Sequence, residues 1–132
     1  MTRTPAPSDS IATPLISIVD DDEGIRQALK SLIDSVGFRA EVFDSGEKFL
    51  NSPYLSQTDC LITDVRMPGM SGLELQDRLS AAGRSIPIVF ISAHDDNEAR
   101  ARGLRAGAID FLQKPFSEDS LLGAISVCLD KS

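Results

Sequence analysis

From Leu15 onward, short apolar runs alternate with longer amphipathic ones, and this alternation limits the possible folds more than any other feature of the chain. The apolar runs are Leu15–Val19, Arg39–Phe43, Cys60–Asp64, 86–92 and 108–113. Runs this short, rich in Ile, Val, Leu and Phe, read as strands, and continuous apolar character marks strands buried on both faces. Between the first two, Ile25, Leu29, Leu32, Ile33 and Val36 recur at helical spacing and Gly37 closes the segment. A short helix is predicted over 45–50, with Asp44 or Ser45 as its cap. A third, capped by Ser71, runs over 73–82, and a fourth over 97–106 stops at Gly107. The last covers 117–129, with Leu121, Leu122, Ile125, Cys128 and Leu129 facing inward. The segments NSPYLSQT and RMPGMSG are loops. Five β/α units in strict order mean a parallel sheet with right-handed crossovers and helices on both faces.

At 132 residues the chain is one domain by size. Its net charge of -7 lacks the basic footprint of direct nucleic-acid binding. Cys60 and Cys128 are too few for a disulfide scaffold; each lies in an apolar segment and reads as a small buried hydrophobe in a reducing compartment. No apolar run is long enough to cross a bilayer. Residues 1–14, MTRTPAPSDSIATP, have no apolar stretch of the secretory kind and are predicted to be a disordered lead-in to a folded domain over 15–132. The predicted location is cytoplasmic.

In an open α/β sheet, sites form beyond the carboxyl ends of the strands, near the point where strand order reverses. Those ends carry Asp20, Asp21 and Asp22 after the first strand, Asp64 after the third, Ser92 after the fourth and Lys114 after the fifth. With the first and third strands side by side, three or more carboxylates converge, and their repulsion calls for a cation. A hard divalent ion such as Mg²⁺ takes oxygen ligands and keeps several waters, leaving room for phosphate oxygens. A carboxylate nucleophile, a metal, a hydroxyl and an ammonium are the parts that phosphoryl transfer to an aspartate needs. Each alone has an ordinary explanation. An acidic run ending in Glu23 suits a helix N-terminus, Asp64 and Ser92 suit turns, and Lys114 suits the surface. Their joint placement at the right strand ends favours the chemical reading.

The segments VDDDE (19–23), TDVRMPGMSG (63–72), FIS (90–92) and FLQKPF (111–116) together resemble the receiver domain of bacterial two-component response regulators, over residues 15–129. The style of the motifs is most similar to the nitrogen-fixation transcriptional regulators. The resemblance implies a flavodoxin-like, doubly wound sheet of five parallel strands in the order 2-1-3-4-5 with five helices. It implies that Asp64 accepts a phosphoryl group from a sensor histidine kinase. Mg²⁺ would be held by the side chains of Asp21 and Asp64 and the main-chain carbonyl of Arg66, with Asp20 acting mostly through water. Lys114 would pair with Asp64 at rest and with a phosphoryl oxygen afterwards. Ser92 would bond a second phosphoryl oxygen, and Phe111 matches the aromatic that turns inward behind that hydroxyl. The Lys114–Pro115 bond is commonly cis in this family. An output partner or domain would read the switch through the fourth helix, fifth strand and fifth helix, without direct contact to nucleic acid or membrane. A phosphorylation-dependent homodimer is also compatible with the family. Such a protein is a switch with at most slow self-dephosphorylation, not an enzyme.

Arg66 and His94, each two residues past a site residue, are expected to overhang the phosphoryl position and tune its lifetime. Arg100, Arg102 and Arg105 place positive charge on the fourth helix, as a docking patch or a solvated face. The competing enzyme reading is an aspartate-nucleophile phosphohydrolase with Asp20 and Asp22 as its paired acids. Gly24 stands where that family carries Thr or Val, and no cap insertion is present. A flavin or nucleotide carrier would need a Gly-, Ser- or Thr-rich cradle where this chain has four acids. A degenerate receiver acting only through protein contact would not need the full set of acids, hydroxyl and lysine.

Overall fold

The computed structural model of the protein describes residues 13–131. Strands β1 (Leu15–Val19), β2 (Arg39–Phe43), β3 (Cys60–Asp64), β4 (Ile88–Ser92) and β5 (Asp110–Gln113) form one sheet in the order β2-β1-β3-β4-β5. Every pairing is parallel, so the doubly wound sheet implied by the motifs is the fold. Helices α1 (Glu23–Ser35), α2 (Gly46–Leu50), α3 (Gly72–Ala81), α4 (Asn97–Arg105) and α5 (Glu118–Lys131) follow the five strands in turn. No helix among the described residues is long and apolar enough to cross a membrane. The predicted lead-in lies outside the described residues except for Thr13 and Pro14, and the Pro14 carbonyl accepts a hydrogen bond from the Arg39 amide at 3.0 Å.

Side chains of a strand alternate between faces, and here the alternation feeds two cores. Ile16, Ile18, Cys60, Ile62, Val89 and Ile91 pack with Leu29 and Ile33 of α1 and Leu121, Ile125 and Cys128 of α5. Val19, Leu61, Ile88, Phe90 and Phe111 pack on the other face with Phe49 of α2, Leu73, Leu75 and Leu79 of α3, and Ala99 of α4. Asp20 continues the parity of Ile16 and Ile18, and Asp64 that of Cys60 and Ile62, so both acids leave the sheet on the α1/α5 side. Ser92 continues the parity of Ile88 and Phe90, on the α3/α4 side.

The helices start where short polar side chains offer an acceptor to a free amide. Asp22 caps α1 by accepting from the Ile25 amide, Ser45 caps α2 through Lys48, and Asp96 caps α4 through Ala99. Ser71 and Glu74 form a reciprocal capping box on α3. Several predicted boundaries shift. Strand β4 starts at Ile88 instead of 86, because Pro87 has no amide to donate and only its carbonyl takes part, accepting from Leu61 at 2.9 Å. Strand β5 starts at Asp110 instead of 108, because the Ala108 amide is spent closing the end of α4 on the Gly103 carbonyl at 3.0 Å. Val36 is no part of the inner stripe of α1: it is the C-cap and is 43% exposed. Residues 51–58, read as plain loop, hold a 3₁₀ turn at Leu55–Gln57.

Candidate functional site

Register builds the site. Val19 lies opposite Thr63 in the β1–β3 pairing, so the next residues of the two strands, Asp20 and Asp64, emerge side by side. Ser92 lies opposite Gln113, and the Ser92 carbonyl accepts the Lys114 amide at 2.7 Å, which carries Lys114 past the strand end towards the acids. The Lys114–Pro115 peptide is cis. The Lys114 ammonium reaches Asp20 Oδ2 at 3.0 Å and Asp64 Oδ2 at 3.4 Å. Asp21 completes the group: Asp20, Asp21 and Asp64 each offer a carboxylate oxygen within 4.8 Å of the others.

The carboxylates differ in how firmly they are held. Both oxygens of fully buried Asp20 are engaged, Oδ1 by the Asp22 amide at 2.9 Å and Oδ2 by Lys114, and the Arg26 guanidinium donates to its main-chain carbonyl at 2.8 Å. Asp64 has only long contacts, from the Arg66 amide to Oδ1 at 3.3 Å and from Lys114 to Oδ2 at 3.4 Å. Burial pushes the Asp64 carboxyl above its usual range and the negative charge of Asp20 adds to this, while Lys114 and the Arg66 amide only partly oppose it. At Lys114 burial pulls downward, but the hydrogen bond to Asp20 and the charges of Asp64 and Asp20 outweigh it and hold the ammonium above its ordinary value. Three carboxylates therefore meet one ammonium, in an all-oxygen donor set. That chemistry fits a hard divalent cation.

Ser92 is fully buried, and its hydroxyl accepts from the His94 amide at 3.1 Å. Its side chain makes no hydrogen bond to Asp20, Asp64 or Lys114, as its opposite strand parity dictates. The Phe111 ring is buried against Phe90, with centroids 6.2 Å apart. Asp22, the second acid of the phosphohydrolase reading, is spent on the cap of α1.

Residues 16–126 match the family model described as the response regulator receiver domain. The chain belongs to that family. The response regulator protein TmoT of Ectopseudomonas mendocina is 50% identical over 115 residues, covering 87% of this chain and 52% of TmoT. The transcriptional regulatory protein FixJ of Bradyrhizobium diazoefficiens is 40% identical over 111 residues, covering 83% of this chain and 54% of FixJ, in keeping with the branch resemblance in the motifs. The chain spans about half the length of these relatives. Among solved structures, the response regulator StyR superposes with a TM-score of 0.84 at 49% identity, over 90% of this chain and 60% of StyR. The crystal structure of FixJ-N does so with a TM-score of 0.80 at 34% identity, over 89% of this chain and 94% of that one. Nothing among these relatives supports the phosphohydrolase alternative.

Two residues around the receiver site, Asp96 and Gly72, have structural roles that the sequence does not show. Asp96, the cap of α4, also binds the Arg66 guanidinium. Gly72 lies so close to the acceptor strand that a Cβ there would sit 2.2 Å from the Asp64 carbonyl oxygen. The arginines of α4 are all exposed, and two of them are also engaged within the fold. Arg102 pairs with Asp77 of α3 at 2.7 Å, and the Arg100 guanidinium sits 5.8 Å over the Phe111 ring and donates to the Phe111 carbonyl at 3.3 Å.

Proposed function

We propose that Asp64 is the phosphoryl-accepting carboxylate, that a sensor histidine kinase is the donor, and that the modified domain acts on an output partner or domain through α4, β5 and α5. The observation that carries this reading is the contrast between the two buried acids. Asp20 is bonded through both oxygens, whereas Asp64 is held only at 3.3 and 3.4 Å and its carboxyl is raised by burial. Both acids are buried, and the loosely partnered carboxylate is the better nucleophile of the pair.

An Asp64 oxygen attacks phosphorus, a P–O bond forms, and the P–N bond to the donor imidazole breaks with its electron pair leaving on the imidazole. Lys114 stays anchored to Asp20 and turns the hydrogen bond it gives Asp64 towards a phosphoryl oxygen. The Ser92 hydroxyl leaves the His94 amide to donate to another phosphoryl oxygen, and the vacated space lets the Phe90–Phe111 pair repack. Asp21 and Asp64 through side chains, Arg66 through its carbonyl and Asp20 through water would hold Mg²⁺, whose contribution when bound is to neutralise charge on the transferring group. The engagement of both Asp20 oxygens supports its outer place, and exposed Asp21 is free to ligate. The same reading makes the domain a cytoplasmic switch with at most slow self-dephosphorylation, in which Arg66 and His94 tune the lifetime and residues 1–14 are a lead-in. Incubation with acetyl phosphate and Mg²⁺ followed by intact mass spectrometry tests it. One phosphoryl group per chain, absent from Asp64→Asn, is the expected result, and equal labelling of that variant rules Asp64 out.

A further inference from the structure

Arg66 is tied to the acceptor at one end and to a different element at the other. Its amide donates to Asp64 Oδ1 at 3.3 Å, while its guanidinium crosses to Asp96 Oδ2 at the start of α4. The Asp96 carboxylate therefore has two tasks, because its other oxygen accepts the Ala99 amide at 3.0 Å and caps the helix. Around it, α4 (NEARARGLR) buries only Ala99 and Gly103, so little apolar area seats this helix. Besides the Arg66 bridge, its position depends on the hydrogen bond from the Gln76 side-chain amide to the Gly103 carbonyl at 3.0 Å, on Arg102 to Asp77 and on Arg100 over Phe111. A helix seated by polar links moves when one link finds a better partner.

We propose that Arg66 is an exchange cation: its guanidinium holds Asp96 while Asp64 is unmodified and transfers to a phosphoryl oxygen once Asp64 carries one, releasing the start of α4. The inference rests on Asp64 being the acceptor. A phosphoryl group brings about -1.5 to -2 units of charge two residues from Arg66, against a single negative charge on Asp96. A planar guanidinium makes its best bonds to such an oxyanion. Asp96 keeps its bond to the Ala99 amide, so the cap persists while the inter-element link is lost. By linkage, the resting Arg66–Asp96 pair opposes phosphorylation as strongly as phosphorylation opposes the pair. Arg66 thus acts as a positioning residue that couples the acceptor to α4.

The test is a double-mutant cycle read as the fraction of chain phosphorylated at a fixed, sub-saturating ratio of acetyl phosphate to Mg²⁺-loaded protein. Asp96→Asn keeps a good capping side chain and removes only the charge. It is expected to raise the ratio of phosphorylated to unmodified chain by about 1.5- to 5-fold, the range in which exposed ion pairs act. Arg66→Ala should abolish that gain, so that Arg66→Ala and the double variant label alike, and Arg66→Lys should restore part of it. A gain of equal size in the Arg66→Ala background overturns the exchange, as does no gain in Asp96→Asn alone. If the parent protein takes no label, or Asp64→Asn takes as much, the acceptor assignment itself has failed and the exchange falls with it.

Discussion

Asp64 and Asp20 differ by what surrounds them, not by residue type, and this explains how far single residues can be read from the chain. The strand-end acids and Lys114 are legible because a parallel sheet gathers the carboxyl ends of its strands whatever the side-chain details. Which acid caps a helix and which stays available is not legible, since Asp20, Asp21 and Asp22 look equivalent until register and cap geometry separate them. The Arg66–Asp96 link is equally hidden, joining positions 30 residues apart with no shared motif. Close approach also escapes sequence reading, and Gly72 is the clearest case. A Cβ there would meet the Asp64 carbonyl at 2.2 Å and the Phe90 ring at 3.2 Å, and the backbone oxygen has no flexible end to swing aside. Gly72→Ala should therefore destabilise the fold by about 1–3 kcal/mol, the usual cost of overpacking, and should slow labelling of Asp64 by displacing it. Urea midpoints and labelling rates check both effects, and a variant as stable as the parent would mean that the loop yields freely.

At the scale of elements, the apolar pattern locates every strand and α-helix but not the 3₁₀ turn at Leu55–Gln57, and the misplaced strand starts trace to single backbone amides. Pro87 has no amide for β4, and the Ala108 amide belongs to the end of α4 instead of β5. Caps are more legible than strand starts, because a capping side chain announces itself in the residue type. The α3 capping box makes a sharper prediction. The Ser71 amide and hydroxyl, followed by Arg78 and Arg102, hold the exposed Glu74 carboxyl below its ordinary range. A depressed folded value means that the charged form contributes stability above the ordinary carboxyl value, and that this contribution disappears as pH falls through the lower, folded value. Glu74→Gln keeps a hydrogen-bonding side chain but loses the charge. Its urea midpoint should lie below that of the parent at neutral pH and converge with it in acid. Ser71→Ala removes the hydroxyl acceptor and should cost about 0.5–2 kcal/mol, with a loss that persists in acid. A gap for Glu74→Gln that is constant with pH would show that the charge contributes nothing.

Across the whole molecule, the two faces of the sheet are secured unequally. On one side α1 and α5 insert Leu29, Ile33, Leu121, Ile125 and Cys128 into a continuous apolar layer. Cys60 and Cys128 are buried within it, and the Cys60 thiol is pushed up by its hydrogen bond to Cys128 and by burial, which makes these two a packing pair with little thiolate character. On the other side α4 supplies Ala99 alone to the core, and its remaining links are a buried hydrogen bond from the Gln76 side-chain amide to the Gly103 carbonyl at 3.0 Å, the exposed pairs to Arg66 and Asp77, and the cover of Arg100 over Phe111. Apolar burial is insensitive to salt, whereas exposed ion pairs weaken as the screening length contracts from about 10 Å at 0.1 M to 3 Å at 1 M. Local opening of α4 should therefore respond to salt while the rest of the fold does not. In native-state hydrogen exchange, α4 amides should exchange faster than those of α1, α5 and the central strands. Moving from 0.1 M to 1 M salt should speed α4 exchange by about two- to thirtyfold, the combined range of two exposed pairs, and leave β1 and β3 unchanged. Exchange of α4 at the same rate as β3, or without response to salt, would mean that Ala99, Gly103 and the buried Gln76 hydrogen bond seat the helix firmly enough without the ion pairs. A receiver built on that plan would have to transmit its signal through another element.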